Sequence, residues 1–80
     1  MAIRTYLRVI FNSEGARPSL VVDRLQNLGF RPITGYYDFV YEWPSKATVR
    51  EAINFADLIH ETLRGLGVFF EITTLSEEEQ

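Results

Sequence analysis

Three stretches of the chain alternate between inward- and outward-facing residue types with a period of two, which predicts β-strands. The first runs from Ala2 to Phe11, the second from Tyr36 to Trp43 and the third from Val68 to Leu75. A shorter extended run, Phe30 to Thr34, contains Pro32. Because proline has no backbone N–H, we expect this run to lie at an edge of the sheet.

Two other segments repeat their apolar residues at helical spacing. Ser19 is predicted to cap a helix that continues to Leu28 and stops at Gly29, where a left-handed residue is easiest for glycine. Thr48 and Glu51 form a T-x-x-E capping box ahead of a longer helix. The apolar residues that recur along this second helix are Val49, Ala52, Ile53, Ala56, Ile59 and Leu63.

The predicted order of elements is therefore β-α-β-β-α-β. Right-handed crossovers turn this order into an α+β, ferredoxin-like sandwich, in which a four-stranded antiparallel sheet has both helices on one face. We expect the first and third strands to be central and parallel to each other, flanked by the fourth and the second. Residues 1–75 are expected to form a single domain, followed by an acidic, disordered tail over residues 76–80.

One face of such a sheet has no helix to cover it. Because burying two carboxylates beneath the helices would cost roughly several kcal/mol, we assign Asp38 and Glu42 to this uncovered face, which puts Tyr37 on the helix side. Arginine and tyrosine mixed with carboxylates are typical of a wet subunit interface. The residues that we expect at an oligomer interface are Arg4, Tyr6, Arg8, Asp38, Glu42, Phe69, Glu71 and Thr73. The alternative is a solvent-exposed sheet with cross-strand ion pairs.

Composition favours the interface. The 80-residue chain has no cysteine, so neither disulfides nor cysteine-ligated zinc can stabilise it. A domain of this size buries only about 60% of the surface that its unfolded chain exposes. We therefore expect a dimer or a larger homo-oligomer. The absence of cysteine, together with Arg4 and Arg8 inside the first apolar run, favours a cytoplasmic protein without a signal peptide or a membrane span.

The net charge of −3 arises at the C-terminus, where Glu77, Glu78 and Glu79 are consecutive. The rest of the chain carries equal numbers of basic and acidic residues. Because a balanced domain has no basic field to collect phosphates, we expect no direct binding of nucleic acid.

Residues suited to catalysis are scarce. His60 is the only histidine, and no cysteine exists that could pair with it as a nucleophile. A single histidine among scattered carboxylates lacks the ligand spacing of a metal site. We therefore predict no catalytic residue, no metal and no cofactor.

The hairpin between the second and third strands contains a short motif. Residues 34–40 have the sequence T-G-Y-Y-D-F-V, which includes G-x-Y-D. A long helix, a glycine-containing stop and a strand ending in T-T-L follow. From Phe30 to Leu75 the chain resembles the effector (RAM) domain of the Lrp/AsnC regulators of amino-acid metabolism, and it is similar to GYD domains. The first strand and the first helix match only in pattern.

The resemblance implies a domain of the dimeric α+β barrel type, which pairs through its uncovered sheet face. It also implies that a small effector, such as an amino acid, binds between dimers near Gly35, Tyr37 and Asp38. Asp38 has a second interpretation, in which its carboxylate orders the hairpin by accepting backbone hydrogen bonds. Only one residue precedes the first strand, so we expect no DNA-binding domain and no independent operator binding.

We therefore expect a non-catalytic, stand-alone module that senses a small metabolite or co-assembles with a larger regulator. Two alternatives stay open. One is a small cofactor-free enzyme of the dimeric α+β barrel class, with His60 or a tyrosine in a cleft between helices and sheet. The other is a structural subunit whose sheet face or edge strand binds a partner.

Overall fold

The computed structural model describes residues 2–44 and 46–77. Its elements are β1 (Ala2–Ile10), α1 (Pro18–Asn27), β2 (Arg31–Pro32), β3 (Phe39–Glu42), α2 (Val49–Leu63) and β4 (Phe69–Glu77). The chain thus adopts the α+β, ferredoxin-like βαββαβ fold that the sequence predicts.

The four strands form one sheet in the order β2-β3-β1-β4, with β1 and β3 in the centre. All three pairings are antiparallel. The prediction that the two central strands run parallel was wrong. The crossover through α1 makes β1 and β2 run in the same direction, and the hairpin then reverses β3, so β3 is antiparallel to both.

Strand β4 follows β1 along its whole length, from the pair Ala2–Glu77 to the pair Ile10–Phe69. Because this ladder extends to Ala2, the first residue of β1, β4 continues to Glu77, beyond the domain boundary predicted at Leu75. Residues 78–80 of the predicted acidic tail lie outside the described residues.

The core lies between the sheet and both helices, which therefore share one face. Leu7 of β1, Leu25 of α1 and Ile59 of α2 are fully buried in it. The whole cluster of buried apolar residues consists of Leu7, Val9, Val21, Leu25, Phe30, Phe39, Ile59 and Leu63.

Helix α1 begins at Pro18, and its N-cap Arg17 makes no side-chain capping bond. The prediction of Ser19 as the cap was wrong, because the residue before a proline is held extended and the fixed φ of proline suits the first helical position. The predicted stop at Gly29 is confirmed. Gly29 has a φ of +107°, and the N–H groups of Gly29 and Phe30 donate to carbonyls of the last turn, as in a Schellman motif.

Helix α2 has the predicted capping box. The Thr48 N–H donates to Glu51 Oε1 over 2.8 Å, and the Glu51 N–H donates to Thr48 Oγ1 over 3.1 Å. Its apolar stripe is only partly covered, since Ile59 and Leu63 are buried whereas Val49 and Ile53 are 78% and 50% exposed. The N-terminal half of α2 thus leaves apolar surface uncovered.

A short polar chain crosses the core beside this half of α2. The indole N–H of Trp43 donates to Thr5 Oγ1 over 2.9 Å. Thr5 Oγ1 lies 2.8 Å from Thr74 Oγ1, so one buried hydroxyl connects β1 with β4 and with the end of β3. Thr5 is fully buried, and among the described residues it is the one polar residue of the core.

We expect Thr5→Val to destabilise the protein by about 1–3 kcal/mol, because the half-buried Trp43 N–H loses its acceptor. Thr5→Ser is the matched control, since it keeps the hydroxyl and should cost clearly less. Urea unfolding of the two variants and the wild type measures the difference. A Thr5→Val protein as stable as the wild type would show that the hydroxyl contributes nothing.

Candidate functional site

The sheet register divides its side chains into a helix side and an opposite side, which we call the open face. Residues of β1, β3 and β4 that oppose one another there alternate with the core residues. The open face consists of Arg4, Tyr6, Arg8, Ile10, Val40, Glu42, Phe69, Glu71, Thr73 and Leu75. It includes every residue predicted for the oligomer interface except Asp38.

Large apolar side chains are exposed on and beside this face. Phe69 is 69% exposed, Tyr36 64%, Leu75 46% and Ile10 45%. A large contiguous apolar patch with a polar rim is typical of interaction sites, whereas single exposed apolar residues are ordinary.

Charges of both signs are interleaved with these apolar groups. Glu42 accepts from two arginines, Arg31 Nη2 at 2.9 Å and Arg4 Nε at 3.2 Å. Arg8 Nη1 lies 3.9 Å from Glu71 Oε1. Arg31 was not among the predicted site residues, because the predicted run from Phe30 to Thr34 has no clear alternation from which to assign a face.

These contacts change the acidity of Glu42. The hydrogen bond from the Arg31 guanidinium, followed by that from Arg4, holds the pKa of the Glu42 carboxyl below its ordinary value. The two guanidinium groups therefore favour the charged form of this carboxylate.

Two tyrosines from the loop before β3 fold onto the open face. The Tyr37 ring lies 5.4 Å from that of Tyr6, and its hydroxyl lies 3.2 Å from Thr73 Oγ1. The Tyr36 ring stands against Tyr37 at 5.0 Å, with the Arg8 guanidinium 4.8 Å from its centroid. Tyr36 also donates to Glu71 over 3.3 Å.

The position of Tyr37 corrects the sequence prediction, which put it on the helix side. The prediction extended β3 back to Tyr36, whereas the strand begins at Phe39. The residues from Gly35, whose φ is +118°, up to Phe39 do not belong to a strand. Strand alternation therefore does not determine the direction of their side chains.

Asp38 lies where this loop rejoins the sheet. Its carboxylate Oδ2 accepts from the Val9 N–H over 2.8 Å. Its own N–H donates to the Leu7 carbonyl, and its carbonyl accepts from the Ile33 N–H, both over 2.9 Å. The carboxylate thus extends the β1–β3 ladder by one bond, which is the contact expected if Asp38 orders the hairpin.

The three residues predicted to bind an effector are close together in sequence, but their surroundings differ. Tyr37 and Asp38 use their polar atoms within the chain, and Gly35 has open space around its Cα. A shallow cleft of about 510 Å³ lies nearby on the open face. It is lined by Arg4, Tyr6, Arg31, Ile33, Thr34 and Val40.

The opposite layer has two further clefts. One, of about 440 Å³, is an apolar groove beneath the N-terminal half of α2, with Val49 and Ile53 on one wall and Ile72 and Thr74 on the other. The second, of about 500 Å³, contains the exposed His60 beside Arg64 and Phe70.

Among the described residues, no three His, Cys, Asp or Glu side chains lie together as a metal site would require. Neither helix in this part of the chain combines the length and apolar character needed to cross a membrane.

We expect Glu42→Gln to lower stability modestly at neutral pH and to have no effect in acid. Because the pKa of Glu42 is lower in the folded protein than in the unfolded chain, the ionised carboxylate stabilises the fold above its unfolded pKa. That stabilisation disappears as the pH falls through the folded pKa, and solvent exposure keeps it small.

Chemical unfolding of the wild type and the variant across this pH range measures the effect. Glu14→Gln, in the loop before α1, controls for the change in net charge. A difference between wild type and Glu42→Gln that stays constant into acid would contradict the ion-pair interpretation.

Comparison of the chain with protein-family models, with curated proteins and with solved structures found no match. The fold assignment rests on the element order and strand pairings described above. The resemblance of the chain to the Lrp/AsnC effector domains stays a prediction from the G-x-Y-D motif of the hairpin.

Proposed function

We propose that this chain is a non-catalytic association module that pairs with its own copy through the open face, in the manner of the effector domain of an Lrp/AsnC regulator. The observation that carries this proposal is the exposed apolar set of the open face, interleaved with arginine and glutamate.

A second copy suits this face because the face carries both signs of charge. Arg4, Arg8 and Arg31 lie among Glu42 and Glu71, so a two-fold arrangement can bring arginines of one copy near glutamates of the other. A strongly basic or acidic face would repel itself. Pairing also removes Tyr36 and Phe69 from water, which contributes about 25 cal/mol for each Å² of apolar surface buried.

The same proposal gives the loop before β3 a place at the interface. Tyr36 and Tyr37 lie on the open face, so a partner copy would cover the loop that carries Gly35. A small metabolite bound there, for example an amino acid, would then contact both copies. The neighbouring cleft combines the arginines Arg4 and Arg31 with the aromatic ring of Tyr6. Arginine and an aromatic ring suit a carboxylate-bearing ligand.

We further propose that the module acts in the cytoplasm, alone or together with a larger regulator that carries the same fold. An enzymatic role is less well supported, because His60 lies on the exposed surface of α2, apart from the tyrosines of the open face.

We expect Ile10→Glu to weaken self-association by about tenfold or more, which corresponds to roughly 1.4 kcal/mol. The new carboxylate replaces an exposed apolar group of the open face and would have to be desolvated on pairing. Leu58→Glu is the matched control, because Leu58 is equally exposed (48% against 45%) but lies on α2. Sedimentation equilibrium over a concentration series gives the dissociation constants.

A wild-type protein that stays monomeric, or an equal effect of both variants, would overturn the open-face dimer. The metabolite is tested separately by thermal shift against a panel of amino acids. Without any shift in a protein that does dimerise, the module would be an association domain without an effector.

A further inference from the structure

The two edges of the sheet differ in how they are protected. At one edge, β2 is two residues long and includes Pro32, which cannot donate to a further strand. At the other edge, β4 is nine residues long and, within the described residues, pairs only with β1. Proteins usually protect such an edge, because its free N–H and C=O groups are a template for another strand.

Strand β4 lacks most of the features that protect a sheet edge; the charged Glu71 points to the open face. Its sequence, F-F-E-I-T-T-L-S-E, contains neither proline nor lysine. Its register with β1 is continuous from Phe69 to Glu77, so no bulge twists the edge away. The side chains of Phe70, Ile72 and Thr74 point to the helix side, so no charge is directed inward along this stretch.

The hydrogen bonds of β1 show which groups of β4 are available. The Ile3 carbonyl accepts from the Trp43 N–H, and the Leu7 carbonyl accepts from the Asp38 N–H. Both donors flank β3, so the odd-numbered residues of β1 direct their backbone groups towards β3. Its even-numbered residues therefore bond to β4, where they face the odd-numbered residues Phe69 to Leu75. The even-numbered residues of β4 direct their N–H and C=O groups outward. They are Phe70, Ile72, Thr74 and Ser76.

We propose that β4 pairs antiparallel with β4 of a second copy, centred on Ile72, so that two sheets join into one of eight strands. In this register Ile72 faces Ile72 of the second copy, and Phe70 faces Thr74. All outward-directed groups then meet outward-directed groups, as the antiparallel ladder requires.

The side chains favour a second copy over an unrelated strand. On the open face the register brings the exposed Phe69 opposite Leu75 and puts Glu71 opposite Thr73, so no like charges face each other. The sequence of β4 is thus self-complementary in the Ile72-centred register.

The helix side gives a second, independent reason. A two-fold axis that is perpendicular to the sheet and lies midway between the two facing Ile72 residues keeps the helices of both copies on the same side. The apolar groove along β4 contains the exposed Val49 and Ile53 of α2. Pairing places the grooves of the two copies side by side at the joint, where this apolar surface can be covered.

This interface is separate from the proposed open-face pairing, because it uses backbone groups at the β4 edge rather than a packed face. The two can coexist, since joining two sheets edge to edge leaves a continuous open face. Each can therefore fail alone.

Amide hydrogen exchange tests the pairing without any substitution. The N–H groups of Glu71, Thr73 and Leu75 bond to β1 and should exchange slowly at every concentration. Those of Phe70, Ile72 and Thr74 should exchange slowly at high concentration and rapidly after dilution. Rapid exchange of the even-numbered set where scattering shows an oligomer would overturn the proposal. So would protection that appears only when a foreign apolar peptide is added.

Single cysteines test the register, since the chain has no cysteine of its own. Opposed Cα atoms in a hydrogen-bonded antiparallel pair are about 5.5 Å apart, within the range for a disulfide. Ile72→Cys should therefore give a cross-linked dimer under mild oxidation. Thr73→Cys is the control, because its two copies are displaced by roughly 7 Å along the strands and should not cross-link.

Equal cross-linking of both variants would overturn the Ile72-centred register. The background Ile10→Glu separates the two interfaces. If edge pairing is correct, Ile72→Cys still cross-links in that background, even though the open-face association is weakened. Cross-linking that disappears together with the open-face dimer would show that β4 pairing does not exist on its own.

Discussion

Strand β1 is the element on which the rest of the molecule is assembled. Its odd-numbered residues send their side chains into the core and their backbone bonds towards β3, whereas its even-numbered residues face the open side and bond to β4. A central strand of an antiparallel sheet must divide its groups in this way. Both the buried Leu7 and the partly exposed arginines of β1 therefore follow from one alternation, as does the polar chain through Thr5.

Much of this organisation follows from local sequence. The alternation of β1 and β4, the capping box at Thr48 and the stop at Gly29 are short-range signals, and the structure has them where the sequence predicts. The start of β3 is different, because five aromatic residues between Tyr36 and Trp43 look like one strand. Tertiary contacts decide where that strand begins: Tyr37 gains the ring of Tyr6, and the Asp38 carboxylate gains the Val9 N–H.

Sequence alternation fixes the direction of only some of the side chains around the open face. Alternation assigns Arg4, Glu42 and Glu71 to the open face, because each lies in a strand with a clear period. It cannot assign Arg31, whose strand has two residues, or foresee that Val49 stays exposed, because coverage of a helix stripe depends on which neighbours reach it.

The contrast between the two sheet edges bears on the size of any assembly. An interface between β4 strands is isologous, and it uses up the unprotected edge of both copies. What remains outermost on each side is β2, where Pro32 cannot donate to a further strand. Growth along the sheet would therefore terminate after a single addition. Because β2 is short and contains a proline, the sheet would stop at two copies and would not extend into a fibre.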